Sequence, residues 1–169
     1  MPRNYRRLVA VAGALAAAGT LAVTGVTAVS ASPRPGPAVA GTEHFQLVTA
    51  SASATTGLVI AYGVFTGHAV DHMGNSVDKF VFTGGSFKIF HSQGSGPMSL
   101  NAKTCLLSAS IHGTFRVYGG TGSFKHISGH GKYQATVLGI EARSKGRCSQ
   151  TKLPLAFEQT IRATGRVTL

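Results

Sequence analysis

From Phe45 to the C-terminus the side chains alternate with a period of two, which makes strands the main element and leaves little room for helices. Cys105 to Tyr118 shows the pattern most plainly. Cys105, Leu107, Ala109, Ile111, Gly113, Phe115 and Val117 fall on one face, and Ser108, Ser110, His112, Thr114 and Arg116 on the other. A strand patterned this way buries one face and wets the other. The last segment repeats it, with Leu153, Leu155, Phe157, Ile161, Ala163 and Val167 opposed by Lys152, Glu158, Thr160, Arg162, Thr164 and Arg166. Pro154 suits a strand's beginning. Glu158 and Arg162 share the polar face and are expected to form a weak surface pair.

Further strands are expected over Phe45–Thr49, Leu58–Val70, Val77–Phe82, Ser86–His91 and Gly131–Ile140. They are separated by Gly84-Gly85, Gly94-Ser95-Gly96-Pro97 and Gly119-Gly120-Thr121-Gly122, the residue types that turns demand. Roughly eight strands in sequential turns predict an all-β domain, an antiparallel up-and-down barrel or a sandwich. The barrel is the expected architecture, because closure removes the exposed edges that make open sheets sticky. Residues 41–169 are long enough for one such domain with a real core and too short for two.

Residues 1–40 read as a signal peptide and Pro-rich leader. Arg3, Arg6 and Arg7 precede an uncharged run from Leu8 to Val29, and small-residue sites end at Ala31 and Ala40. A basic segment, an apolar segment and a small-residue site are the marks of secretion. The competing reading is a membrane anchor through residues 8–29, since roughly 20 apolar residues cross a bilayer. Gly and Thr interruptions within the run favour cleavage. Beyond an export signal the compartment is oxidising, so Cys105 and Cys148, the only cysteines, are expected to form one disulfide.

The segment Phe115-Arg116-Val117-Tyr118-Gly119-Gly120-Thr121-Gly122-Ser123-Phe124-Lys125-His126-Ile127-Ser128-Gly129-His130-Gly131-Lys132-Tyr133 resembles the strand, GGTG-x-F turn and G-x-G-x-Y strand start of dirigent and allene oxide cyclase-like barrels. Gly63-Val64-Phe65, Asp71 to Asn75 and Asp78 to Phe82 are similar to the second and third strands of small secreted actinobacterial members. The resemblance implies an eight-stranded barrel holding an apolar ligand, with isomerase or cyclase chemistry in some members. Their polar active-site set has no match at identifiable positions here, so no catalytic residue is carried over and enzyme status stays open. In physical terms Gly119, Gly120 and Gly122 permit positive φ at a strand exit, and Phe124 with Ile127 can plug a barrel end.

Four residues are candidates for ligand contact. Gln159 falls on the apolar face between Phe157 and Ile161, where an unpaired amide costs roughly 1–3 kcal/mol. His91 follows Phe87 and Ile89 on one face, and Tyr62 and Tyr133 are aromatic residues with a polar tip expected to point inward. An apolar pocket with a few polar groups is how a barrel grips a small ligand. His68 with Asp71 and His72, and His126 with His130, carry metal-binding residue types. Convergence requires a helix at that spacing, and these stand on strands and turns, so no metal site is expected. No cofactor motif is present, and the phosphate-loop reading of GGTG lacks the Lys-Ser/Thr pair.

Net charge is +11 at pH 7, and twelve of the 16 Lys and Arg lie beyond residue 40. Such a surface attracts polyanions of the cell envelope in a salt-dependent way, with no sign of specific nucleic-acid recognition. The expectation is therefore a secreted barrel binding a small apolar molecule, with an isomerase or cyclase and a basic envelope-interaction protein as alternatives. A wide interior lined by Tyr, His and Gln favours the first two. A solid core, or basic groups gathered on one side, favours the third. The sequence leaves oligomeric state open. N-terminal sequencing of the exported protein is expected to find Ser32 or Gly41 first; a membrane-embedded chain starting at Met1 or Pro2 would refute cleavage.

Overall fold

The computed structural model describes residues 38–169. The signal segment, the alternative anchor at residues 8–29 and the site at Ala31 lie outside the described residues. Eleven strands are assigned: β1 Ala40–Thr49, β2 Thr56–Tyr62, β3 Gly67–His72, β4 Val77–Phe82, β5 Gly85–His91, β6 Met98–Leu100, β7 Leu106–Tyr118, β8 Ser128–Ile140, β9 Arg143–Ser144, β10 Arg147–Cys148 and β11 Ala156–Thr168. Eight of them run as an antiparallel cycle β5-β4-β3-β2-β1-β11-β8-β7, closed by pairing of β5 with β7. This is the up-and-down barrel, not the sandwich. Strand β6 adds to the lower part of β7, and β9 and β10 form a separate hairpin.

The alternation carries through to the fold. In β7 Ala109, Phe115 and Val117 are buried while His112, Thr114 and Arg116 are exposed. Two expected segments differ. Leu58–Val70 is two strands, because the chain turns at Gly63, with φ 138°, and the Phe65 N–H donates to the Glu43 carboxylate instead of a neighbouring strand. Leu153 and Leu155 precede β11 and are 66% and 75% exposed, so the apolar face of the last strand begins only at Phe157. No ion pair forms between Glu158 and Arg162, since residues four apart in a strand are separated by about 13 Å. Glu158 accepts instead from the Thr160 hydroxyl at 3.3 Å.

The GGTG segment closes one end of the barrel. Gly122 has φ 57°, and a Cβ there would lie 2.2 Å from the Gly84 carbonyl oxygen, so only glycine fits this approach. The Thr121 N–H donates to the Ser86 carbonyl at 2.7 Å, its hydroxyl oxygen accepts the Ser86 N–H at 3.0 Å, and the Ser123 N–H reaches the Gly84 carbonyl at 2.9 Å. Locked to the β4–β5 hairpin in this way, the 3-10 turn Gly122–Phe124 directs Phe124 inward, with Ile127 buried beside it. The plug expected of these two residues is thus present.

Cys105 and Cys148 are bridged, joining the start of β7 to the β9–β10 hairpin across 43 residues. Among the described residues no helix is long and apolar enough to cross a membrane. A closed loop of this length lowers the entropy of the unfolded chain, so replacing both cysteines by serine is expected to cost about 2–4 kcal/mol. Denaturant unfolding of the wild type and the double variant measures it, and equal midpoints would contradict the assignment of stability to the bridge.

Candidate functional site

The barrel interior is filled unevenly. Around the plug, Phe124 lies with its ring centroid 5.1 Å from Phe65, 5.0 Å from Phe82 and 5.3 Å from Phe87. Phe45 stands between this cluster and the opposite end, in contact with Phe80 at 5.7 Å and Phe115 at 5.9 Å. Beyond Phe45 two adjacent strands, β8 and β11, each place an alanine inward. Ala163 pairs with Phe45 and Tyr133, and Ala135 with Ile161 and Ile111. A cavity of about 630 Å³ remains there, opening to solvent between the segments at Asn75–Ser76 and Ser92–Gly94. That volume is in the range of small-molecule sites.

Its walls are mainly apolar, with polar groups contributed by β4, β5, β8 and β11. The Asp78 carboxylate accepts from the Gly74 N–H at 2.8 Å through one oxygen and faces His91 Nε2 at 3.5 Å through the other. His91 stands edge-on to Tyr133, with ring centroids 6.4 Å apart. The Tyr133 hydroxyl donates to the Ser92 carbonyl at 3.0 Å, which fixes its ring across the interior. Gly113, cross-strand from Tyr133, makes this possible: a Cβ there would stand 2.4 Å from the ring. Burial pushes the Tyr133 phenol above its ordinary range. Gln159 lines the cavity from β11.

Two more acids are buried within the barrel. Glu43 and Asp71 are 0% and 2% exposed, and Glu43 Oε1 and Asp71 Oδ1 have no hydrogen-bond partner. Glu43 sits toward the plugged end, held by the Phe65 N–H at 3.1 Å, and burial raises its pKa. Asp71 stands cross-strand from Phe80, one inward position from Asp78. Burial first, and the Asp78 charge second, raise the Asp71 pKa to about 7.

Of the four candidate residues, Gln159, His91 and Tyr133 line this cavity. Tyr62 does not, which corrects the expectation of an inward ring. Its neighbour Ala61 is the inward residue of β2, so the alternation turns Tyr62 outward, 49% exposed and stacked on His44 at 4.8 Å. His68 and His72 face outward while Asp71 faces inward, so these three cannot share an ion. Among the described residues no three His, Cys, Asp or Glu groups are placed to hold a metal. Asp71 and Asp78 were missed, although alternation with Ala69, Phe80 and Phe82 already places both on the inward face.

Comparison with family models, curated proteins and solved structures finds no match for this chain. The pH dependence of stability tests the buried acid directly. A carboxyl with a folded pKa above its unfolded value stabilises the fold below the unfolded pKa and loses that contribution as pH rises through the folded one. For Asp71 the window runs from about pH 4 to about pH 7. Relative to wild type, Asp71→Asn is therefore expected to gain stability progressively from pH 4 to pH 7 and to stay level above. Denaturant unfolding across that range checks it, and a difference independent of pH would contradict the raised pKa.

Proposed function

We propose that this barrel binds a small, largely apolar molecule in the half-open cavity, as a member of the dirigent and allene oxide cyclase-like type exported by its leader. The observation that carries the reading is the cavity itself: one end of the barrel is packed by Phe side chains, while the other keeps about 630 Å³ with Asp78, His91, Tyr133 and Gln159 on its walls. An interior present only for stability would gain from filling that space, because empty apolar volume forfeits packing. The cyclase or isomerase alternative would draw on the same wall, where Asp78 and His91 supply an acid–base couple.

A second reading has its own observation. Arg116 pairs with His130 and His130 with Arg166, forming one exposed row across β7, β8 and β11, with Lys132 and Arg162 on the same outer face. This gathered basic surface suits an anionic envelope polymer. Retention on immobilised heparin is expected to fall with salt and to fall further in an Arg116→Gln, Arg166→Gln variant. Retention unchanged by the substitutions would remove this face from consideration.

Native mass spectrometry of protein from its own host is the direct search for a bound molecule. Gln159→Leu tests the pocket, since it removes the amide at similar volume. Calorimetric titration with phenylbutanol is expected to show a several-fold weaker affinity in the variant, a loss of about 0.5–1.5 kcal/mol. Unchanged affinity together with a raised melting temperature would sink the role of Gln159.

A further inference from the structure

The chain is strongly basic, at +11, with only five acidic residues, yet three of these, Glu43, Asp71 and Asp78, project into the barrel. Of these, one lines the cavity and a second is its near neighbour on the next strand. Asp78 lines it, and Asp71 lies one inward position away with Oδ1 unpartnered in the protein interior. No Lys or Arg lines the cavity to balance them. His91, at 3.5 Å from Asp78, can neutralise at most one carboxylate. The remaining walls include Phe45, Phe80, Phe115 and Tyr133, whose ring faces attract cations.

From this arrangement we infer that the ligand class of the cavity is an apolar amine, bound as its ammonium ion with the charged end at Asp78 and the apolar body against the Phe rings. The inference rests on the reading of the cavity as a ligand site. A carboxylate would meet the opposite field. Burying an anion beside Asp78 without a cationic partner is costly, so an acid would be held only with its charged end left in solvent. A neutral alcohol lies between the two, able to donate to Asp78 but gaining no charge attraction. The overall positive charge does not reverse this order, because the basic side chains of the described residues are solvent-exposed and screened by water and salt.

Calorimetric titrations with phenylbutylamine, phenylbutanol and phenylbutyrate at pH 7 test the order, since the three share an apolar body and differ at the polar end. Wild type is expected to bind the amine about tenfold more tightly than the alcohol, equivalent to ~1.4 kcal/mol, and the acid most weakly. In Asp78→Asn, which keeps an oxygen acceptor for the Gly74 N–H, the amine advantage over the alcohol is expected to shrink to within about twofold, the amine losing more affinity than the alcohol. Asp71→Asn is expected to reduce the advantage by a smaller factor, acting at longer range. Alcohol binding with no preference for the amine, or with the acid bound as tightly as the amine, would overturn the inference and leave the cavity reading standing. An amine preference that survives in Asp78→Asn would equally overturn it. Failure of all three compounds to bind wild type would overturn the cavity reading and this inference together.

Discussion

Closure of the sheet is the constraint on which everything else rests. Strand β1 pairs with β11 from Ala40 and Thr168 to Thr49 and Gln159, so the two ends of the domain complete the cylinder, and β5 joins β7 over four residue pairs on the other side. With no free edge in the cycle, every strand has one face committed to a shared interior. Period-two alternation then becomes a statement about the inside and outside of a single cavity. The shorter β5–β7 seam leaves the lower part of β7 to pair with β6, and this is the side on which the Ser92–Gly94 segment borders the mouth.

Within the cylinder, side-chain size decides where the protein is solid and where it is hollow. Phe65, Phe82, Phe87 and Phe124 meet at the plugged end in edge-on and tilted arrangements, with Phe82 and Phe87 stacked. Alanines at 135 and 163 sit where larger residues would fill the opposite end. The polar groups follow the same division. Asp78, His91 and Gln159 have access to the opening, whereas the unpartnered oxygen of Asp71 lies in low-dielectric surroundings beside a like charge. Such a group weakens the fold near neutral pH.

Much of the site was legible from a simple conflict: a polar residue at an apolar position of an alternating strand. That conflict picked out Gln159 and His91, and it applies with equal force to Asp71 and Asp78, which stand in phase with Ala69 and with Phe80 and Phe82. Tyr62 went astray for the converse reason. Leu58, Ile60 and Tyr62 make an apolar row that looks inward in isolation, but it is Val59 and Ala61, in the opposite phase, that the barrel buries. Where both phases of a strand are apolar, alternation cannot tell inside from outside. The break at Gly63 was hidden because Val64 and Phe65 continue an apolar run, and the partner of the Phe65 N–H, Glu43, is 22 residues away.

By itself the sequence determined the period of the strands, the places where glycine-rich turns interrupt them, and a cysteine pair free to bridge, because these are local properties of the chain. Only the tertiary structure decided which strands meet to close the barrel, which end Phe124 plugs, and that Asp78, His91, Tyr133 and Gln159, drawn from four different strands, share one cavity. Those outcomes depend on contacts between residues far apart in the chain. They arise only when closure brings distant strands together, in a register set by the apolar pattern of each strand and by the turns between them.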